Sequence, residues 1–507
     1  MNQDSVCSLV WFKRDLRWQD HQPLFDAAQR GTCVALYIYE PEILGADDAD
    51  ASHLEFINGC LGELQAQLRS LGGELITRTG FAHEVLAALH QELRFDRIYS
   101  HQETGNKLTY DRDRRVAAWA RSNQIEWHQY RQQGVVRGLK DRDGWAALWN
   151  RDMSAAQTPS VERIQPGPQV ESHGIQSPQV FGLAPSGKSH QPLPGERAAH
   201  DTLRSFLHQR GEDYQRAMSS PEAGATSCSR LSPYLAYGAI SMRTVYQTYR
   251  ERIEQLRDAK REGVPHLSQW IRSLSSFNKR LHWNGHFIQR LESDPSIEFH
   301  SLVRAFEGLR DQPSGEGFFE AWVEGRTGFP MVDACMRSLA ATGWLNFRMR
   351  AMVVSFASYH LWLPWRQTGL YLARQFLDYE PGIHYNQLQM QSGVTGINAV
   401  RIYSPTKQAA DQDPHGTFIR RWVPELETVP LRRLAQPHML DMIEQSETSF
   451  RIGIDYPIPI VDHAEAVAQA KQRIFAVRRT TTAKEQAARV LERHGSRRRT
   501  PKRRRSR

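Results

Sequence analysis

The segment Ser227-Cys-Ser-Arg-Leu-Ser-Pro-Tyr-Leu-Ala236 sets Ser229 and Ser232 just ahead of a proline that suits the first turn of a helix. A helix start carries backbone N–H groups without partners and the positive end of the helix dipole, so it can receive a phosphate-like anion. The same spacing also serves ordinary N-capping, the commoner use of such serines. Arg350 and Asp378 are a second pair of interest. On residue type alone they read as a salt bridge between helices. Trp283, in Lys279-Arg-Leu-His-Trp-Asn-Gly-His286, reads on its own as a core side chain. His282 and His286 stand four apart, on one face of a helix. That spacing suits a metal, but no third ligand is evident, so no metal site is expected.

Two kinds of segment must position these groups. Ser8-Leu-Val-Trp-Phe12, Val34-Ala-Leu-Tyr-Ile-Tyr39, Glu74-Leu-Ile-Thr77 and Arg97-Ile-Tyr99 are short runs that read as strands. Helix-like stretches at 22–30, 61–71 and 84–93 alternate with them. This order predicts a doubly wound parallel α/β sheet over residues 5–135, which binds ligands at the carboxyl ends of its strands. No G-x-G-x-x-G follows the first strand, so no dinucleotide fingerprint is present there. Residues 136–197 read as an inter-domain connector; the part from 152 to 195 contains seven prolines and much Ser, Gln and Gly. Residues 198–475 carry apolar side chains at helical spacing and read as an all-α domain. Residues 476–507 read as a basic tail.

The net charge is +9, and the last thirteen residues supply eight of those positive charges, leaving a nearly neutral body of +1. Such a tail attracts polyanions without sequence preference, or serves only as a disordered solubilising end. The longest apolar runs fall short of a membrane helix, and Met1-Asn-Gln-Asp-Ser-Val6 lacks the layout of a signal peptide. Five scattered cysteines without a C-x-x-C pair fit reduced thiols in a cytoplasmic protein. A monomer is expected.

Residues 322–426 are the most informative. They open with Trp322-Val-Glu-Gly-Arg-Thr-Gly-Phe-Pro-Met-Val-Asp-Ala-Cys-Met336 and continue through Thr342-Gly-Trp-Leu-Asn-Phe-Arg-Met-Arg350 to Leu377-Asp-Tyr-Glu380. They close with Arg401-Ile-Tyr-Ser-Pro405, Asp413-Pro414 and Phe418-Ile-Arg-Arg-Trp-Val-Pro-Glu-Leu426. This run resembles the flavin-binding helical domain of the photolyase/cryptochrome family. Leu9-Val-Trp-Phe-Lys-Arg-Asp-Leu-Arg17 and Tyr37-Ile-Tyr-Glu-Pro41 look like that family's opening strand and loop. The resemblance implies FAD as cofactor and a folate or deazaflavin antenna, unassigned here, in the first domain. It implies phosphate contacts at Cys228, Ser229, Arg230, Leu231 and Ser232, with Tyr214 and Pro221 matching an upstream Tyr-x6-Pro segment. Arg350 and Asp378 would pair against the flavin ring, with Tyr379, Glu380 and His384 nearby. Arg280 and Trp283 would complete the site, and Trp283 would stack an extracted lesion. Trp283, His384, Arg350 and Asp378 are thus the catalytic expectations.

The chain departs from the family at several of these positions. Arg280 stands where dimer-repairing members usually carry Glu, Phe347 where many carry Asn, and Glu380 where a second Asp is usual. His384 takes the place of the Asn that faces flavin N5; a His can donate or accept and can titrate near neutral pH, and this one is expected to tune flavin protonation. In the three-Trp electron-transfer chain, Trp365 matches the middle member, while Leu388 and Gln312 replace the others. Trp344, Trp362, Tyr371 and Tyr379 are candidate substitutes. The expected activity is blue-light-driven repair of pyrimidine dimers in DNA, single-stranded DNA included. The rivals are a cryptochrome-like photoreceptor and a nucleic-acid binder without photochemistry.

Overall fold

The computed structural model describes residues 7–139, 142–311 and 315–494. Five parallel strands, β1 (Ser8–Phe12), β2 (Thr32–Tyr39), β3 (Leu75–Thr79), β4 (Arg97–His101) and β5 (Glu126–Tyr130), form a sheet in the order β3-β2-β1-β4-β5. Leu9 registers with Val34 on one side and Ile98 on the other. Helices α1 (Gln22–Arg30), α2 (Ala51–Ser70), α3 (Ala82–Leu93) and α4 (Lys107–Ser122) connect the strands and cover both faces. That cover is why β1 and β2 are buried along their whole length and read as unbroken apolar runs. The order reverses between β1 and β4, so the loops after these strands open a crevice.

The connector lies along the β3 edge. The Thr77 N–H donates to Ser172 Oγ at 3.0 Å and the His173 N–H to the Thr77 carbonyl at 2.9 Å. Gln165–Pro166 add a short parallel pairing to the start of β2. An edge strand otherwise offers unpaired backbone groups, and this wrap consumes them. The connector also contains a helix, Trp145–Ser154, whose Trp145, Trp149 and Met153 are buried at i, i+4, i+8.

The helical domain contributes α5 (Ser232–Ala236), α6 (Met242–Arg261), α7 (Leu267–Ser293), α8 (Pro330–Thr342), α9 (Phe347–Ser355), α10 (Trp365–Gln375), α11 (Pro381–Ser392), α12 (His463–Arg479) and α13 (Thr481–His494). Helix α8 starts with Pro330 in its first turn and ends on Gly343 at φ 69°, the favoured signals at each end. It is buried through most of its length and forms the centre of this core. Helix α6 buries Val245, Tyr249, Ile253 and Leu256 while its Arg- and Glu-rich face stays outside. Residues 481–494, which sequence assigns to a basic tail, instead form α13. Its Ala483 and Val490, seven apart, make a narrow apolar stripe that joins the core. Residues 495–507 lie outside the described residues. Among the described residues no helix is long and apolar enough to cross a membrane, and all five cysteines are free.

Candidate functional site

A cavity of about 500 Å³ opens in the helical domain between α5, α7, α9 and α11, within the roughly 300–1,000 Å³ of small-molecule sites. Tyr214, Cys228, Ser229, Arg230, Ser232, Arg280, Trp283, Arg350, Asp378, Tyr379, Glu380 and His384 all line it. The structure thus brings together residues spread over some 170 positions of sequence. Leu231 is the exception: its side chain turns into the core at 1 % exposure and leaves the lining. The apolar side chain at the start of α5 packs inward, which is what turns its serine neighbours outward. Neither serine caps α5 by a side-chain bond, so the plain capping reading does not describe them. Arg230 holds φ at +60° and lays its guanidinium 3.9 Å from the Trp344 ring centroid. Burial lowers its pKa to about 10, with Asp378 opposing.

Arg350 and Asp378 form the pair that sequence suggested, at 2.7 Å. Arg350 Nε donates to the Leu345 carbonyl at 2.7 Å, and its guanidinium lies 4.0 Å from the Phe376 ring centroid. Burial pushes the Asp378 carboxyl up, but Arg350, Ser232 and Arg230 together hold it below the usual range. Its second oxygen, Oδ1, is buried without a partner. Gln133 Oε1, Asn284 Oδ1, Asn346 Oδ1 and Gln387 Oε1 are likewise orphaned acceptors, on residues that line the same cavity. Buried acceptors each cost about 1–3 kcal/mol when unpaired, so this wall suits a ligand rich in N–H and O–H donors. Sequence reasoning missed these amides; the available signal was an amide amid apolar helical neighbours.

Sequence left the protonation of His384 open. Its Nε2 lies 2.9 Å from the Gly369 carbonyl. A carbonyl only accepts, so Nε2 carries the proton and Nδ1 is left as an acceptor. Burial lowers its pKa to about 4, the Gly369 bond opposing and Arg350 reinforcing. The ring is therefore neutral through the neutral range and does not titrate there. Glu380 caps α11, accepting from the Gly382 N–H at 3.4 Å, and faces Arg14 at 3.5 Å.

At the cavity mouth Trp283 and Phe347 are 47 % and 45 % exposed. The Arg280 guanidinium lies 4.5 Å from the first ring centroid and 5.5 Å from the second. Trp283 is thus a rim residue rather than core.

Trp365 lies outside the lining, buried, with Nε1 3.3 Å from Ser301 Oγ. Leu388 lines the cavity and Gln312 falls outside the described residues. Of the candidate substitutes, Trp344 and Tyr379 line the cavity. His282 and His286 do not converge: one bonds Asn150 and the other Arg142. Among the described residues Asp15, His21 and His101 cluster closely enough to suggest a metal. Asp15 Oδ2, however, accepts from both rings at 3.0 and 2.8 Å, and His21 Nδ1 accepts from the Leu24 N–H. That cluster is a closed hydrogen-bond knot.

A second, smaller cleft of about 130 Å³ sits at the crevice of the sheet domain. Arg112 reaches Glu40 and Glu103 at 2.5 Å each and Asp113 at 2.9 Å. Lys13 and Arg137 also approach Asp113, at 3.6 and 3.1 Å. Tyr379 lines both the cavity and the cleft.

Comparisons with known proteins agree with this geometry. The family described as the FAD binding domain of DNA photolyase matches residues 277–476, and the family described as DNA photolyase matches residues 8–139. Cryptochrome DASH of Gloeobacter violaceus is 28 % identical, over 92 % of this chain and 95 % of its own length. Deoxyribodipyrimidine photo-lyase of Escherichia coli is 28 % identical, over 93 % and 99 %. The crystal structure of a bacterial class III photolyase from Agrobacterium tumefaciens superposes with a TM-score of 0.81 at 25 % identity, covering 95 % of this chain and 99 % of that one. With both characteristic domains matched in order and the arginine–aspartate pair set in the wall of the helical-domain cavity, the chain belongs to the photolyase/cryptochrome family.

Proposed function

We propose that this chain repairs pyrimidine dimers in DNA, driven by blue light through FAD bound in the helical-domain cavity. The carrying observation is the join of two features: a donor-seeking cavity and, at its mouth, a half-exposed Trp283 beside Phe347. A dimer flipped out of the helix needs a flat apolar surface at the entrance. In this reading Ser229, Ser232 and Arg230 hold the cofactor phosphates, and Asn284, Asn346 and Gln387 accept from its N–H and O–H groups. Arg350, fixed by Asp378 and the Leu345 carbonyl, is a preorganised cation beside the ring. His384 presents a neutral acceptor. Held there in reduced form, FAD would supply light-driven one-electron chemistry to a dimer at the cavity mouth. A folate or deazaflavin antenna would have its place in the sheet-domain cleft, which Lys13, Glu40, Glu103 and Arg112 line without filling. The test is blue-light treatment of a dimer-containing oligonucleotide, single- and double-stranded, with the chemically reduced protein. Restored monomer bases support the reading, and none from fully loaded protein refutes it.

One observation favours a photoreceptor instead. Arg280 places a permanent cation against Trp283 where a lesion-binding carboxyl is usual in the family. A light-induced change in protease sensitivity over residues 480–507, without repair, would establish that reading.

A further inference from the structure

We propose that Arg142, His286 and Arg290 form a binding site for a phosphate-class oxyanion, separate from the cavity, where the segment after β5 meets α7 and α13. Trp283, Asn284, Phe287 and Ile288 face the cavity. His286 and Arg290, one turn apart, share a different face of the same helix. Arg290 is 3 % exposed, yet its Nε and Nη2 are buried without a hydrogen-bond partner. Arg142 Nη1 is in the same condition. Neither arginine has a carboxylate within 4 Å among the described residues. Asp294, one turn on from Arg290, is taken by His494 Nε2 at 3.3 Å, Ser296 Oγ at 2.6 Å and Arg493 at 3.4 Å, and Glu292 faces Arg137 at 3.7 Å.

A buried cation without a counter-charge is costly, and two that repel each other more so. Burial and Arg142 together lower the Arg290 pKa to about 10, with Asp294 opposing. The local chemistry completes an anion receptor. Arg142 Nη2 donates to His286 Nδ1 at 2.8 Å. His286 is held neutral, its pKa lowered to about 3 by burial, Arg142, Arg290 and His494. Its remaining proton therefore sits on Nε2, which adds a donor. His494 Nδ1 is a further buried nitrogen without a partner. Two guanidinium groups and an imidazole N–H match a compact tetrahedral oxyanion. A free phosphate or small phosphate ester shares this chemistry with a backbone phosphate of DNA.

The experiment is calorimetric and thermal-melt titration of the full-length protein with sodium phosphate, against sodium chloride at equal ionic strength. Wild type is expected to bind phosphate and melt higher with it. Arg290→Leu removes the unpaired buried cation, so it should melt at or above phosphate-free wild type and lose the response. Arg142→Gln, at the rim, should weaken binding about tenfold, as loss of one charged hydrogen bond does. Binding through residues 495–507 would be equal in all three proteins. A phosphate response no larger than that of chloride, or one unchanged in both variants, overturns the proposal. Displacement of phosphate from wild type by a single-stranded oligonucleotide assigns the anion to the DNA backbone; no displacement assigns it to a free phosphate or small ester.

Discussion

The two recesses of this protein treat their polar side chains differently. Beside the sheet-domain cleft three carboxylates, Glu40, Glu103 and Asp113, meet three cations, Lys13, Arg112 and Arg137, with Lys13 Nζ and Glu40 Oε2 left without a hydrogen-bond partner. Among the described residues of the helical-domain cavity, Arg350 pairs with Asp378 and Glu380 with Arg14, and five acceptors are left without donors. A buried network that closes on itself rigidifies the fold. One left open stores desolvation cost that a ligand can relieve. The difference makes the ion pairs beside the cleft a clamp on the sheet domain, while the helical-domain cavity keeps more of its acceptors open to a ligand.

The largest effect should come from breaking the clamp. Arg112→Leu leaves three buried carboxylates short of a cation, so it should destabilise by about 3–5 kcal/mol, read from chemical denaturation. A stable Arg112→Leu protein would mean that the cleft is not held by its charges, and the contrast between the recesses would fail.

His384 tests the cavity. Its folded pKa, lowered to about 4, lies below the ordinary histidine value. The unfolded chain therefore binds the extra proton first, and stability is lost as pH falls from about 6.5 towards 4. The full span is worth up to about 3 kcal/mol. His384→Asn should flatten that acid limb of the melting profile and leave pH 7–8 unchanged. His101, His286 and His360, each lowered to about 3 mainly by burial, share its sign, so part of the limb will persist. A titration of His384 between pH 6 and 8, followed by NMR, would contradict the buried neutral ring.

Trp283→Ala probes the mouth. A side chain 47 % exposed contributes little to the core. The melt should barely move, while affinity for dimer-containing DNA should fall by about 1–3 kcal/mol, the worth of one base stack. Equal affinity for damaged and undamaged DNA in both proteins would remove the lesion-stacking role.

The sheet domain was legible because β1 and β2 are apolar throughout, as buried parallel strands must be. Strand β5, Glu126-Trp-His-Gln-Tyr130, was not: it is the partly exposed edge and its composition is mostly polar. Helix α13 reads as tail because its apolar stripe is only Ala483, Ala487 and Val490, interleaved with Lys484, Arg489 and Arg493 and followed directly by the basic run. In the site, charged and aromatic residues within recognisable runs were found. Asn284, Asn346 and Gln387 were not, because a lone amide carries no periodicity and its meaning depends on which partners the fold withholds. His384 was located, but sequence left its protonation open; burial and the Gly369 carbonyl, fifteen residues away, decide it.

The smallest effect concerns the wall between the recesses, where Arg14 lines the cleft and Glu380 the cavity. Arg14 is already anchored by the Ala236 and Tyr379 carbonyls at 2.7 and 2.8 Å, so its 3.5 Å contact with Glu380 is the weakest of three. Burial raises the Glu380 pKa despite Arg14, and the ionised form is therefore disfavoured here. Such a carboxyl costs stability as pH rises above its ordinary value. Glu380→Gln keeps an acceptor for the Gly382 N–H and removes the charge. It should shift stability by less than about 1 kcal/mol, with the variant gaining on wild type from pH 5 to pH 8 in paired melts. A loss of several kcal/mol would mean that the ion pair, rather than the carbonyl contacts of Arg14, separates clamp from cavity. The two recesses would then be one coupled electrostatic unit.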